Sequence, residues 1–478
     1  MATIPQVAET MQTVLSKTAT QAGRETQFVQ RESKMGGSEF SQTLTFGWLE
    51  NPQATLEELC QTAAALGVTI TPQGLDQRFS ASAAECLQRV LDATVNEIIA
   101  AEPVAVPVLQ RFNGVYLDDS STVTLPDELA EVWQGCGGST EKATSAALKL
   151  QVRLDYAKGT LHGPFLQDGK THDRQSPLQQ IPVDAGSLRI ADLGYWSLDV
   201  HGQIGEQDAF WLSRIQVQTA VYDLQGQRWD LVELLQTMAC PVLDMRVTLG
   251  VQHRLPARLV AVHLPQEVAE KRQRNLHEEA RSKGQTVSKK RLALVDWNIF
   301  VTNVPVEMLT WQEILVLART RWQIELLFKL WKSHGHIDEW RSRKPWRILC
   351  EVYAKLIAMV VQHWILLTSC WHYPDRSLFK AANSIRKHAM SMACAIHSKR
   401  DLCTVIETIQ RCLRVGCRIN NRKAEPHTYQ LLLSLTIGAY LDTTGVVRDR
   451  PLLRHIAPVI PHCHAPQCRI QIALPATV

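Results

Sequence analysis

The sequence lacks several features that would place it at once. It opens Met1-Ala2-Thr3-Ile4-Pro5, with no basic region followed by an apolar run, so no secretory signal is expected. Its most apolar run, Ala354 to Thr368, is too short to span a bilayer and contains Lys355, Gln362 and His363, which predicts a buried helix and no membrane partner. The 12 cysteines follow no small-domain framework and read as reduced thiols of a cytoplasmic protein. There is no internal repeat and no low-complexity tract. Strong charge of one sign is also missing. A net charge of +4 permits a nucleic-acid partner without demanding one, because patches matter more than totals.

What is there is ordinary and ample. The 478 residues, 45% hydrophobic and 21% charged, suffice for about three domains with a large core. Residues 1 to about 46 are polar and irregular, with helix-compatible pieces. A clear helical period follows at Leu56, Leu59, Ala63 and Leu66, and Gly67 ends it. Thr71 and Pro72 signal the start of a second helix running through Phe79. Helix, glycine turn and helix outline a helix-turn-helix, with Gln73, Gln77 and Arg78 of types that contact base edges or phosphates. Any short helical hairpin gives the same outline. A long helix from about Ala83 to Ala100 closes this N-terminal region, residues 1–105.

The pattern then changes to strands. Gly114 to Leu117 is a short one, ending at Asp118-Asp119-Ser120-Ser121. Leu148, Leu150, Val152 and Leu154 alternate with polar residues, which predicts a half-buried strand. Pro177 to Val183 reads as a short helix. Ser187 to Ala191 is a strand ending at Asp192, and Trp211 to Val217 is another. Residues 221–297 read as a β-rich insertion with a charged helix near its end. Trp297 to Val301 returns to a strand. Beyond residue 371 the chain is helical and basic, with an irregular tail. His462, Cys463, His464 and Cys468 in that tail match no closed zinc site.

One helix, Ala318 to Lys332, gathers charge in an unusual way. Leu317, Ile324, Leu327, Phe328 and Trp331 form its apolar stripe, and Arg321, Glu325, Lys329 and Lys332 share the neighbouring arc. By itself that arc reads as a solvated face with i,i+4 ion pairs. Two further carboxylates change its weight. Asp119 follows the first strand and Asp192 a later one. Their order with Glu325 is that of a ribonuclease H-like α/β sheet, in which catalytic groups stand at strand and loop ends. Three carboxylates meeting there would hold two divalent cations, hard ions that take carboxylate, water and phosphate oxygens. Adjacent strand residues face opposite sides, so only one of Asp118 and Asp119 can serve.

These residues resemble a known family, the bacterial cut-and-paste insertion-sequence transposases of the DDE type. The resemblance is to the YREK-signature group, insertion sequence family four. In its Tyr-x2-Arg-x3-Glu-x6-Lys signature, Arg321, Glu325 and Lys332 match, while Ala318 stands at the Tyr position. Asp119 with its following hydroxyl residues matches the first Asp, and Asp192 with Gly194-Tyr195 the second. The resemblance covers about residues 40 to 370.

It implies a ribonuclease H-like core, residues 106–220 and 298–370, interrupted by the 221–297 insertion. Residues 1–105 form a helical DNA-binding region, and residues 371–478 a helical basic region for DNA contact or dimerisation. Asp119, Asp192 and Glu325 become the catalytic metal ligands for two Mg2+ ions, with Mn2+ as a substitute. Arg321, Lys329 and Lys332 would contact phosphates of the transposon end. Trp297 or Trp322 would stack on a base flipped out during hairpin formation. The implied partners are the terminal inverted repeats, target DNA and a second copy of the chain in a synaptic homodimer. A catalytically inactive DNA-binding relative and a general nuclease of the same fold are the alternatives.

Overall fold

The computed structural model describes residues 2–31, 34–137, 144–238, 240–282, 284–419 and 427–436. The metal-type side chains of the tail, His462, Cys463, His464 and Cys468, lie outside them. Two compact units emerge. The first takes the described residues within 1–105, 118–178 and 322–419, and the second those within 106–117, 179–321 and 427–436.

In the first unit, side-chain caps set where helices begin. Thr55 opens the helix Leu56–Ala65 with a reciprocal box: its hydroxyl accepts from the Glu58 amide at 3.2 Å, and Glu58 accepts from the Thr55 amide at 2.7 Å. Gly67, at φ +82, ends that turn in the left-handed region. Thr71 caps the next helix, which spans only Pro72–Asp76 and does not reach Phe79. Ser80 stops it by capping a new helix, Ala81–Asn96, through the Ala83 amide. Residues 1 to 46 are more ordered than their polarity suggested. They carry a helical run from Ile4 to Glu25, π-helical at Thr13–Thr18, and the helix Gly37–Glu50, which is buried almost throughout. Gly47 permits that burial: a Cβ there would meet Leu59 Cδ2 at 2.5 Å.

The helix Pro345–Leu367 is the core of this unit. At 23 residues it is long and apolar enough to cross a membrane, longer than the run Ala354 to Thr368 predicted. Its apolar window is instead fully buried, against Ala81–Asn96 and Gly37–Glu50 among others.

The strands are β1 (Val115–Leu125), β2 (Ala146–Asp155), β3 (Leu161–Asp168), β4 (Leu188–Ala191), β5 (Phe210–Arg214), β6 (Val221–Tyr222), β7 (Arg228–Trp229), β8 (Val242–Leu249), β9 (Leu255–His263) and β10 (Trp297–Thr302). Together with the helices they make a mixed α/β fold with a large sheet. In the first unit β2 lies between β3, antiparallel to it, and the later residues of β1. β2 is buried on both faces, not half-buried as its alternation predicted. Between Pro177 and Val183 only a single 3-10 turn forms, Pro177–Gln179.

The second unit is built on strands in the order β4-β5-β10-β9-β8-β6-β7. β4 and β5 run parallel, and β10 is antiparallel to both β5 and β9. The strands of residues 221–297 therefore extend the sheet that holds β4 and β5 and are not set apart from it. The reason is shared core. Val247, Leu249, Leu259 and Ala261 pack in one cluster with Trp211 and Val301.

His201 lies inside that cluster, stacked on Trp211 at 4.3 Å and edge-on to Trp196 at 5.1 Å. Neither ring nitrogen has a hydrogen-bond partner among the described residues. Burial, helped by the charge of Arg189, pulls its pKa down to about 3. The unfolded chain therefore binds a proton below pH 6.5 that the folded chain refuses until about pH 3, so stability is lost as pH falls through that window. His201→Phe keeps the ring and removes the orphaned nitrogens. Urea unfolding should show near-wild-type stability at pH 8 and a flatter decline toward pH 4; an unchanged slope would show that His201 is not the group responsible.

Candidate active site

Asp119 is the fifth residue of β1 and not past its end as the sequence predicted. The strand continues because Thr122, Val123 and Thr124 favour the extended chain. Asp118 and Asp119 separate as adjacent strand residues must. Asp118 is fully buried, gripped by Arg153, whose Nε donates to one carboxylate oxygen at 2.7 Å and Nη2 to the other at 2.9 Å. Arg153 Nη2 also donates to the Leu178 carbonyl at 2.9 Å. Asp119 is half-buried on the opposite face, and its Oδ1 accepts from the Ser120 amide at 2.8 Å.

The predicted helix Ala318–Lys332 is two helices, Trp311–Thr320 and Trp322–Ser333. Thr320 helps to end the first: its buried hydroxyl donates to the Leu317 carbonyl at 2.6 Å. Glu325 then lies in the first turn of the second helix, where the helix dipole favours a carboxylate. Ile324, Leu327, Phe328 and Trp331 form the buried stripe as predicted. Lys332 donates to the Thr122 carbonyl at 2.8 Å, so the Glu325 helix is pinned to the strand of Asp119. Lys329 is exposed.

In the second unit, Asp192 follows β4 directly and precedes the 3-10 turn Leu193–Tyr195. Its side chain is 45% exposed, and Arg321 Nε stands 3.8 Å from its Oδ1.

The remaining candidates divide sharply. Trp322 is 54% exposed at the start of the Glu325 helix. Trp297 is partly buried against the core cluster of the second unit and edge-on to His263 at 4.9 Å. Gln73 and Gln77 are exposed. Arg78 does not join them: its guanidinium turns inward to donate to the Met35 carbonyl and lies 4.8 Å from the centre of the Phe28 ring. Arg78, like Gln77, lies beyond the end of the five-residue helix.

Among the described residues no group of three or more His, Cys, Asp or Glu side chains is gathered as a metal cluster. The chemistry of the donors nonetheless fits a hard divalent cation. Asp119, Asp192 and Glu325 are carboxylates with accessible surface, on elements anchored by buried neighbours. The residue that sequence reasoning missed is Arg153. It stands on the polar side of β2 with Lys149 and Gln151, and only the tertiary structure buries that side.

Comparison with known proteins agrees with the motif. The family described as Transposase DDE domain matches residues 111–361. A transposase for insertion sequence element IS231E from Bacillus thuringiensis subsp. finitimus is 26% identical, over 90% of this chain and 94% of that protein. The IS231C transposase from Bacillus thuringiensis subsp. berliner is 28% identical, over 90% and 93%. The IS1151 transposase from Clostridium perfringens is 24% identical, over 72% and 77%.

The Lys332 tether can be tested without DNA. Lys332→Met should lower stability by about 1 kcal/mol and speed amide exchange at Val123–Leu125 more than elsewhere. Uniformly faster exchange would show that the contact is not local to β1.

Proposed function

Because the chain belongs to the Transposase DDE family, and so is a DNA transposase, an enzyme acting on DNA, we propose that it binds the terminal inverted repeats of an insertion sequence and performs Mg-dependent cut-and-paste cleavage and strand transfer. The observation that carries the reading is the disposition of the motif. Asp118 is withdrawn into an ion pair, Asp119 faces the other way, and Glu325 opens a helix that Lys332 fastens to β1. The fold we propose is a ribonuclease H-like core, supported by the antiparallel β2 and β3 beside β1 and the parallel β4 and β5.

In this proposal Asp119, Asp192 and Glu325 hold two Mg2+ ions, with Mn2+ as a substitute. Bound there, the ions would supply activation of water or a 3′-hydroxyl and stabilisation of the leaving oxygen. The chain's own residues do the rest. Lys329 meets backbone phosphates from its exposed position, and Arg321, beside Asp192, orients a phosphate or that carboxylate. Trp322, exposed at the helix start, is the better platform for an unstacked base, since Trp297 is engaged in packing. Gln73 and Gln77 remain the readers of base edges in the N-terminal region. Synapsis of two ends makes the working form a homodimer, acting in the cytoplasm where its DNA lies. Residues 371–478 contribute DNA contact or dimerisation.

Strand cleavage of end-bearing DNA in Mg2+ tests this reading. Asp119→Asn, Asp192→Asn and Glu325→Gln should each lose at least about 10³-fold in cleavage, since each removes metal-borne charge stabilisation, yet still shift end DNA in a gel. Equal cutting of random duplex would make the protein a general nuclease. Lys329→Met should reduce the salt dependence of DNA binding by about one phosphate contact. Trp322→Ala should impair steps that need an extruded base while sparing the first nick; an unaffected hairpin yield would rule out its stacking role.

A further inference from the structure

Two aspartates of equal chemistry stand side by side in β1, and a rotation of the strand would exchange their faces. Something beyond the local sequence must choose. We propose that Arg153 is a positioning residue that selects Asp119 for the active-site face by holding Asp118 in the interior. The inference rests on Asp119 being a catalytic carboxylate.

The geometry is directional. Arg153 is 1% exposed and Asp118 0%. Both Nε and Nη2 of the guanidinium reach the carboxylate, at 2.7 and 2.9 Å, and Nη2 also donates to the Leu178 carbonyl at 2.9 Å. Ser120, which shares the face of Asp118, is held likewise: its hydroxyl donates to Asp173 at 2.9 Å, a carboxylate that also accepts from Lys149 at 3.3 Å and Gln151 at 3.2 Å. Residues 118 and 120 thus join one inner polar layer, and residue 119 is left to point away from it. A buried ion pair adds little net stability compared with an apolar pair of similar volume, but removing one partner strands a charge. Without Arg153, β1 gains by turning Asp118 toward water, which carries Asp119 inward.

The full-length protein decides the matter by two readouts, calorimetric Mn2+ binding without DNA and cleavage of end DNA. Arg153→Met should raise the Mn2+ concentration for half-saturation about tenfold and slow cleavage by about 100-fold, the range typical of groups that orient metal ligands. The pair Asp118→Leu with Arg153→Met should bring both back to within about tenfold of wild type, because no buried charge remains to turn the strand. Arg153→Lys, which keeps the charge but loses the fork, should give an intermediate loss and carries the test if Arg153→Met does not fold. Wild-type metal binding and cleavage in the single variants overturn the proposal. So does a folded double variant as impaired as Arg153→Met. Asp119→Asn separates this from the catalytic reading. If it cuts DNA normally, the assignment of Asp119 fails and this inference with it; if it is dead while the Arg153 variants are normal, this inference alone fails.

Discussion

The alternation of side chains along β1 is the constraint on which the candidate site depends. A strand offers each neighbour to the opposite face, so burying one aspartate presents the next. The Arg153 fork enforces that choice by taking both oxygens of Asp118. The pair contributes orientation more than stability, since desolvating two charges offsets much of their attraction. The loop that supplies the Leu178 carbonyl and Asp173 seals the polar side of β2, and this makes a strand with alternating chemistry buried on both sides.

A second buried cation does comparable work in the same unit. Lys355, on the central helix Pro345–Leu367, donates to the carbonyls of His336 and Glu339 at 3.0 and 2.8 Å and to Glu351 at 2.7 Å. Those carbonyls belong to the segment that follows the Glu325 helix. The helix is thus held at three places: by its own apolar stripe, by Lys332 on the Thr122 carbonyl, and by Lys355 beyond its end. The role proposed for Glu325, holding a metal ion, would need such supports, and they are drawn here from polar groups set into apolar surroundings.

The second unit solves a different problem. Without residues 221–297 its strand β10 would be an open edge, and β9, β8, β6 and β7 extend the sheet beyond it in turn. Residues 221–297 therefore do not need a core of their own. They share the one containing Trp211, and Trp297 is drawn into that packing.

The sequence by itself determined the family and the main elements. Arg321, Glu325 and Lys332 at signature spacing, with Asp119 and Asp192 after strand-like runs, pointed to the family that the comparisons then showed. The buried stripe Ile324, Leu327, Phe328 and Trp331 was legible because helical period is a local property. Caps at Thr55, Thr71 and Ser80 are local too; those at Thr71 and Ser80 open separate helices, Pro72–Asp76 and Ala81–Asn96. Only the tertiary structure decided that Arg78 faces inward, that Trp297 packs while Trp322 is exposed, and that Arg153 meets Asp118. Each of those outcomes rests on a partner far away in the chain. Burial and ion pairing are properties of what the fold brings alongside, and residue spacing along one segment carries no information about it.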